Sequence, residues 1–260
     1  MEHGNLIIEQ EGNLGIITIN RPPANPIDLS IIDPLDDVLT KFERDNSIRV
    51  LVITGAGDRA FSAGYDVKVT GKLEESRTGT RGFVIVQRIG RFPKPTIAAI
   101  NGYCLGGACE LAMACHFRIM VDAEHAVIGL PDMELGFIPG WGGTQRLPRL
   151  VGRTKAIEML ALSKRIGATE AYSIGLITKV SSPGETLKDA KELAETLAKK
   201  PPIALQLLLD AVNHGLDTTL EEAWRLNIEG ENYQKVIKTK DFQEGMRAFM
   251  EKREPVWNGE

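Results

Sequence analysis

Cysteine is scarce in this chain of 260 residues: there are three, Cys104, Cys109 and Cys115, all in one short apolar stretch. An odd count confined to one stretch argues against a disulfide framework and fits reduced, buried thiols. Their spacing is not that of a zinc site, and the adjacent His116 does not make it one. The four histidines (His3, His116, His125, His214) are scattered. None stands in an H-E-x-x-H or G-x-S-x-G context, which weakens metal-dependent and serine-hydrolase readings. Gly102-x-x-x-Gly106-Gly107 is not the dinucleotide fingerprint G-x-G-x-x-G, and no P-loop G-K-[ST] occurs, so no metal, redox or nucleotide cofactor is expected. Basic charge is not in excess. A net charge of −4 argues against a nucleic-acid surface. No uncharged apolar run approaches the ~20 residues of a membrane-spanning helix, so no membrane partner is expected. Strand-like Leu6-Ile-Ile8 arrives with no basic, then apolar, leader ahead of it, and Trp-Asn-Gly-Glu260 carries no sorting tripeptide. The expected compartment is the cytoplasm.

What remains is ordinary for a globular protein: 43% hydrophobic and 25% charged residues, in a chain long enough to bury a substantial core. Strand and helix signals alternate. Leu6-Ile-Ile8 and Gly15-Ile-Ile-Thr-Ile19 flank Glu11-Gly12-Asn13 and predict a hairpin. Asp33-Pro34 predicts a helix start, Asp as N-cap and Pro in the first position, with the helix running to about residue 45. Val50-Leu-Val-Ile-Thr54 is a buried strand. Residues 70–82 are polar and expected to be mobile, followed by a short helix at 83–91 closed by Pro93. A strand at 96–100, a helix around Glu110 and strands near 117–121 and 126–128 come next. From Gly143 the pattern turns helical, clearest at 183–200, 203–214, 219–238 and 241–252. Repeated strand–strand–helix units with a helical tail predict an α/β core and a C-terminal helical module. The division is expected at 1–195 and 196–260.

The most informative stretch is Asn101-Gly-Tyr-Cys-Leu-Gly-Gly-Ala-Cys-Glu-Leu-Ala-Met-Ala-Cys115. It sets one carboxylate, Glu110, in a helix that is otherwise apolar all round, and such a helix is buried. A buried Glu without a partner is costly unless it is hydrogen-bonded or protonated, and no Lys or Arg lies within helical reach. One resolution is a distant Arg or backbone donors. The other is an acid or base facing a cavity, and Gly106-Gly107 favours it. A strand, a tight Gly turn and a helix leave first-turn N–H groups unpaired, and these suit developing negative charge. Gly107 lets an oxygen approach its N–H closely. Glu110 is three residues on, on the same face. An oxyanion donor beside a proton-carrying group is what an enolate next to a carbonyl requires.

Three ordered motifs extend this. Phe61-Ser-Ala-Gly-Tyr-Asp66, the Asn101 to Glu110 stretch, and Leu130-Pro-Asp-Met-Glu-Leu-Gly-Phe-Ile-Pro-Gly-Trp-Gly-Gly-Thr-Gln-Arg-Leu147 together resemble the enoyl-CoA hydratase (crotonase) family. The likeness runs from Gly15-Ile-Ile-Thr-Ile-Asn-Arg-Pro22 to Gly245-Met-Arg-Ala-Phe-Met-Glu-Lys-Arg253. The motifs are specific for the superfamily and much less so for the reaction. The resemblance implies an α/β spiral of ββα units, a C-terminal helical module that packs homotrimers or homohexamers, and an acyl-CoA thioester as substrate.

By motif position it implies an oxyanion hole from the N–H groups of Gly107 and Tyr65, although the family usually has a small residue where Tyr65 stands. It implies a carboxylate pair of Glu110 and Asp132, the latter where hydratases carry Glu. Asp is one methylene shorter, and reach governs acid–base catalysis. Glu134 is a second candidate through strand alternation, with an ion-paired role as the alternative. Coenzyme A or acyl contacts are implied at Ala24, Arg59, Ala63, Asp66, Val67, Lys68, Trp141, Tyr233, Phe249 and Lys252. For Arg59 and Lys68 the alternative is a solvated loop charge; for Trp141, packing in a Gly-rich turn; for Phe249, the core of the last helix. His116 stands where the family usually has Asp, a change expected to be structural. The favoured activity is hydration of a 2-enoyl-CoA. The alternatives are double-bond isomerisation, hydrolysis of a cyclic β-keto acyl-CoA, or a non-catalytic acyl-CoA-binding subunit.

Overall fold

The computed structural model describes residues 2–68 and 77–260. Strands β1 (Glu2–His3), β2 (Leu6–Glu11) and β3 (Leu14–Ile19) open the chain, and β2 and β3 form the expected antiparallel hairpin. Helix α1 spans Leu29–Arg44. Three units then repeat one pattern. They are β4 (Val50–Gly55), β5 (Ala60–Ser62) and α2 (Arg77–Gly90); β6 (Thr96–Ile100), β7 (Tyr103–Leu105) and α3 (Gly107–Ala114); and β8 (Phe117–Val121), β9 (Ile128–Gly129) and α4 (Gly143–Val151). The first strand of each unit joins one large parallel array and the second a smaller one. The larger sheet has the order β1-β2-β3-β4-β6-β8-β11, and the smaller runs β10-β9-β7-β5. The chain therefore winds as a spiral of ββα turns. Helices α5 (Arg153–Ala161) and α6 (Ala168–Ser173), strands β10 (Arg165–Ile166) and β11 (Lys179–Ser181), and helix α7 (Thr186–Ala198) complete this part.

Every residue of β4 is buried, as befits a parallel strand covered on both faces. Its side chains alternate between two cores. Leu51 and Ile53 face α1, α2 and α3 with Ile17, Ile19, Ala98 and Ile100. Val50 and Val52 meet Ala190, Ala194 and Ala198 of α7 on the other side. Those alanines recur every four residues and so form one stripe, whose small side chains let the helix lie close on the sheet. Beyond Pro201 come α8 (Pro202–Gly215), α9 (Leu220–Trp224), α10 (Glu231–Ile237) and α11 (Lys240–Glu251).

Four local expectations need correction. Helix α1 begins at Leu29, and Asp28, not Asp33, is its cap, its carboxylate accepting from the Ser30 N–H at 2.9 Å. The buried stripe starts at Ile31 and Ile32, so hydrophobic burial draws the helix start upstream and leaves Pro34 inside it. The polar, mobile run expected at 70–82 falls partly at 70–76, outside the described residues; the helix expected at 83–91 starts earlier, at Arg77. Gly79 and Gly82 read locally as loop, yet both lie against the Trp141 indole, so packing overrides weak propensity. The single helix expected at 219–238 is divided by a π-turn at Arg225–Glu229 and by Gly230. Finally, Pro131–Leu135 is a 3₁₀ turn rather than a strand.

Candidate active site

Helix α3 carries the centre of the site. It is preceded by β7 rather than directly by β6, so the glycine turn belongs to the smaller sheet. Gly106 adopts φ 53° and ψ −127°, a conformation open to glycine, and its N–H is taken by the Gly129 carbonyl at 3.0 Å. The next N–H, of Gly107, has no acceptor among the described residues, as expected for the first position of a helix. The far end of α3 is closed by Arg118, a buried cation that pairs with no carboxylate among the described residues. Its Nη1 donates to the carbonyls of Cys115 (2.5 Å) and Ala112 (3.3 Å), and its Nε donates to Leu176 O at 2.7 Å. The partial negative charge at a helix C-terminus is a suitable partner for it.

The Tyr65 loop is brought to the same place by glycine. Gly64 has φ 86°, and a Cβ there would lie 2.3 Å from the Leu105 carbonyl oxygen and 2.9 Å from the Gly107 nitrogen. Only glycine lets the two segments approach so closely. The loop is stitched to residues 24–27 by Ala63 N–H to Ala24 O, Ile27 N–H to Gly64 O and Asp66 N–H to Ile27 O, at 2.8–2.9 Å. Asn25, fully buried with φ 49°, braces this junction through Nδ2 to the Ala56 and Ala60 carbonyls at 3.1 and 3.0 Å. Asp66 is held by Arg21 at 2.9 Å and accepts from the Lys68 N–H at 3.1 Å.

Glu110 is 2% exposed. Its Oε1 accepts from the backbone N–H of Trp141 and of Gly143, both at 2.7 Å. Both bonds fall on one oxygen, which leaves Oε2 for a water or substrate. Burial pushes this carboxyl from its ordinary 4.5 up to about 7; the neighbouring Asp132 charge adds to the rise, while the two backbone donors and Arg146 oppose it. Asp132 is buried in the 3₁₀ turn. Its Oδ2 has no hydrogen-bond partner among the described residues, and burial raises its pKa as well. Glu134 points elsewhere: it pairs with Arg165 at 2.5 and 3.0 Å and is half exposed. A 3₁₀ turn lacks the two-residue alternation on which its candidacy depended.

These groups surround a cavity of about 740 Å³. Of the residues singled out from sequence, Ala63, Tyr65, Val67, Gly107, Glu110, Asp132 and Trp141 line it, together with apolar walls from Leu135, Phe137 and Ile138. Ala24, Arg59, Asp66, Lys68, Tyr233, Phe249 and Lys252 do not. Arg59 and Lys68 are exposed on the loops beside it. Tyr233 on α10 is half exposed, Lys252 ends α11 in a left-handed conformation, and Phe249 on α11 is 83% exposed, so Phe249 is not core within one chain. A second cavity of about 760 Å³ between α2, α4 and α8 is lined by charged and amide groups including Arg91, Arg149 and Asp210, and contains neither carboxylate of the pair. Arg146, on its wall, donates to the Trp141 carbonyl at 2.7 Å.

Sequence reasoning missed Asn25, Arg146 and Arg118. Asn25 had a signal in its setting between prolines, since Asn tolerates a left-handed turn. Arg146 reaches back five residues to a turn carbonyl and Arg118 joins the end of α3 to the Leu176 carbonyl 58 residues away; neither contact follows a helical or strand period that the sequence shows. His116 is half-buried, its Nδ1 accepting from the Thr96 N–H at 3.1 Å, and desolvation with the Arg118 charge lowers its pKa to about 4. It is a neutral pin between strand and helix. Burial also raises all three cysteine thiols, Cys115 to about 12. Among the described residues no group of three or more His, Cys, Asp or Glu can hold a metal ion, and no helix is long and apolar enough to cross a membrane.

An α/β spiral with a buried carboxylate pair beside an unpaired helix-start N–H is a scaffold for acid–base chemistry on a carbonyl compound. The sequence matches the model of the enoyl-CoA hydratase/isomerase family over residues 9–260. It is 40% identical over 257 residues to crotonyl-CoA hydratase of Syntrophomonas wolfei, covering 97% of each chain. It is 38% identical to carnitinyl-CoA dehydratase of Escherichia coli, covering 98% of each. A crystal structure of enoyl-CoA hydratase from Bacillus anthracis superposes with a TM-score of 0.93 at 37% identity, over 98% of this chain and all of that one. The chain belongs to the enoyl-CoA hydratase/isomerase family and has the crotonase-like fold of ββα units with a C-terminal α-helical bundle. The names of the relatives span hydratase, dehydratase and hydratase/isomerase, each on an acyl-CoA compound.

Proposed function

We propose that this protein adds water across the C2=C3 double bond of a 2-enoyl-CoA thioester. The observation that carries the reading is the meeting of Glu110, Asp132 and the Gly107 N–H on one largely apolar cavity. The thioester oxygen sits on the Gly107 N–H, with the Tyr65 N–H as second donor. As hydroxide adds at C3, electrons move onto that oxygen, and fixed donors stabilise the enolate; one such donor is worth about 10²–10³-fold in rate. Glu110 and Asp132 hold the water over the double bond. One enters ionised and takes a proton from the water, and the other enters protonated and delivers a proton to C2, so that H and OH are both accounted for. Two carboxyls on one cavity, both pushed upward by burial, share protons as a pair. Coenzyme A is part of the substrate, and no further cofactor takes part. Ala24, Arg59, Asp66, Val67 and Lys68 border its path, with Tyr233, Phe249 and Lys252 contributed from the helical module.

Hydration is preferred to isomerisation because Asp132 Oδ2, which has no hydrogen-bond partner among the described residues, is a second proton acceptor, whereas moving a double bond needs one carboxylate. The helices after Pro201 expose Leu220 (87%), Phe249 and Met250; covering such surfaces supports residues 196–260 as the module that assembles trimers or hexamers in the cytoplasm. The test is loss of the enoyl-thioester ultraviolet band on mixing with crotonyl-CoA. Conversion of a 3-enoyl to a 2-enoyl thioester without water uptake identifies an isomerase, and binding without turnover of either overturns both readings.

A further inference from the structure

We infer that Trp141, buttressed by Tyr65, is the end wall of the acyl pocket and restricts the substrate to short, unbranched acyl chains. The inference rests on Gly107 being the thioester's oxygen donor, as proposed above. Trp141 lines the cavity yet is only 4% exposed, because its indole fills the gap between α2 and α3. A Cβ added at Gly82 would lie 2.2 Å from Cε2 and Cζ2 of the ring, and one added at Gly107 would lie 2.5 Å from Cζ3. Both helices thus meet the ring through glycine. A thioester oxygen bonded to the Gly107 N–H starts its acyl chain beside the indole edge, and the chain meets the ring within its first few carbons.

The ring is not free to swing aside. Its Nε1 donates to the Gly79 carbonyl at 3.0 Å, its backbone N–H to Glu110 at 2.7 Å, and Arg146 holds its carbonyl at 2.7 Å. Tyr65 stands edge-on to it, with centroids 6.2 Å apart and planes at 85°, a favoured aromatic geometry. A long chain enters this gap only by expelling the indole, which also disturbs the loop that donates to Glu110. Long substrates therefore lose binding and turnover together.

The experiment pairs two ladders. Saturated butyryl-, hexanoyl-, octanoyl- and decanoyl-CoA are measured for binding by calorimetry, and the matching 2-enoyl thioesters for turnover, in wild type, Trp141→Ala, Trp141→Phe and Tyr65→Ala. In wild type, affinity stops rising beyond butyryl-CoA. Trp141→Ala raises the decanoyl-to-butyryl ratio by about tenfold or more, the scale on which apolar pockets discriminate methylenes, and Trp141→Phe and Tyr65→Ala raise it less. If Trp141→Ala does not fold, the two milder variants decide. Wild-type binding that tightens steadily to decanoyl-CoA, or a ratio unchanged in every folded variant, overturns the wall. Turnover of crotonyl-CoA with no chain discrimination removes the wall and leaves the hydratase reading. A preference for butyryl-CoA without turnover of any enoyl thioester does the reverse.

Discussion

Glu110→Gln is expected to make the protein more stable and nearly inactive. The glutamine Oε1 can accept the same two N–H groups from Trp141 and Gly143, so the substitution removes charge without removing the bonds. In the wild-type fold the carboxyl is raised from 4.5 to about 7, which at about 1.36 kcal/mol per tenfold change in proton affinity corresponds to about 3 kcal/mol. The sign follows from proton uptake. Below 4.5 both folded and unfolded states hold the proton and the full contribution is present. As pH rises toward and through about 7 the unfolded chain releases its proton first, and the folded state loses that stability. Gln has no such slope. Urea unfolding of both proteins at one concentration should show the variant ahead by about 2–3 kcal/mol more near pH 8 than near pH 5. Turnover of crotonyl-CoA should fall about 10²–10⁴-fold. A stability difference that is the same at both pH values would mean that the carboxyl is not held up by burial, and retained turnover would mean that it moves no proton.

Asp132→Asn should lower kcat by about 10²–10⁴-fold with little loss of melting temperature, because Oδ2 has no bond to lose among the described residues; a large fall in melting temperature with normal turnover would assign Asp132 to structure alone. Gly82→Ala and Gly107→Ala push on the same indole from opposite sides, so each should destabilise by about 1–3 kcal/mol through overpacking. Thermal melts and kinetics on both should show the larger kcat loss in Gly107→Ala, which alone disturbs the proposed oxyanion donor; equal kcat losses would argue against that role. Phe249→Asp, placing a charge on a fully presented ring, should shift the mass seen by light scattering toward monomer, and an unchanged mass would place the assembly surface elsewhere.

The spiral was legible because its signals are local. The hairpin at Leu6 to Ile19, the continuous apolar runs of β4 and β6 and the capped helices near the C-terminus each follow from periodicity over a few residues. Where packing decides, local reading failed. Ile31 and Ile32 moved the start of α1 ahead of Asp33-Pro34, and the Trp141 ring made helix of a segment whose glycines look like a loop. The prominence of Glu110 followed from one charged residue in an apolar helix, and Gly107 from the turn before it. The strand alternation offered for Glu134 did not survive the 3₁₀ turn at Pro131–Leu135. By itself, then, the sequence determined that a carboxylate is buried one turn from a helix start, since composition and 3.6-residue periodicity permit nothing else. Only the tertiary structure decided what that carboxylate touches. The donors from Trp141 and Gly143, the facing Asp132 and the indole closing the cavity come from turns of the spiral distant in sequence, and their positions are set by packing rather than by any neighbour along the chain.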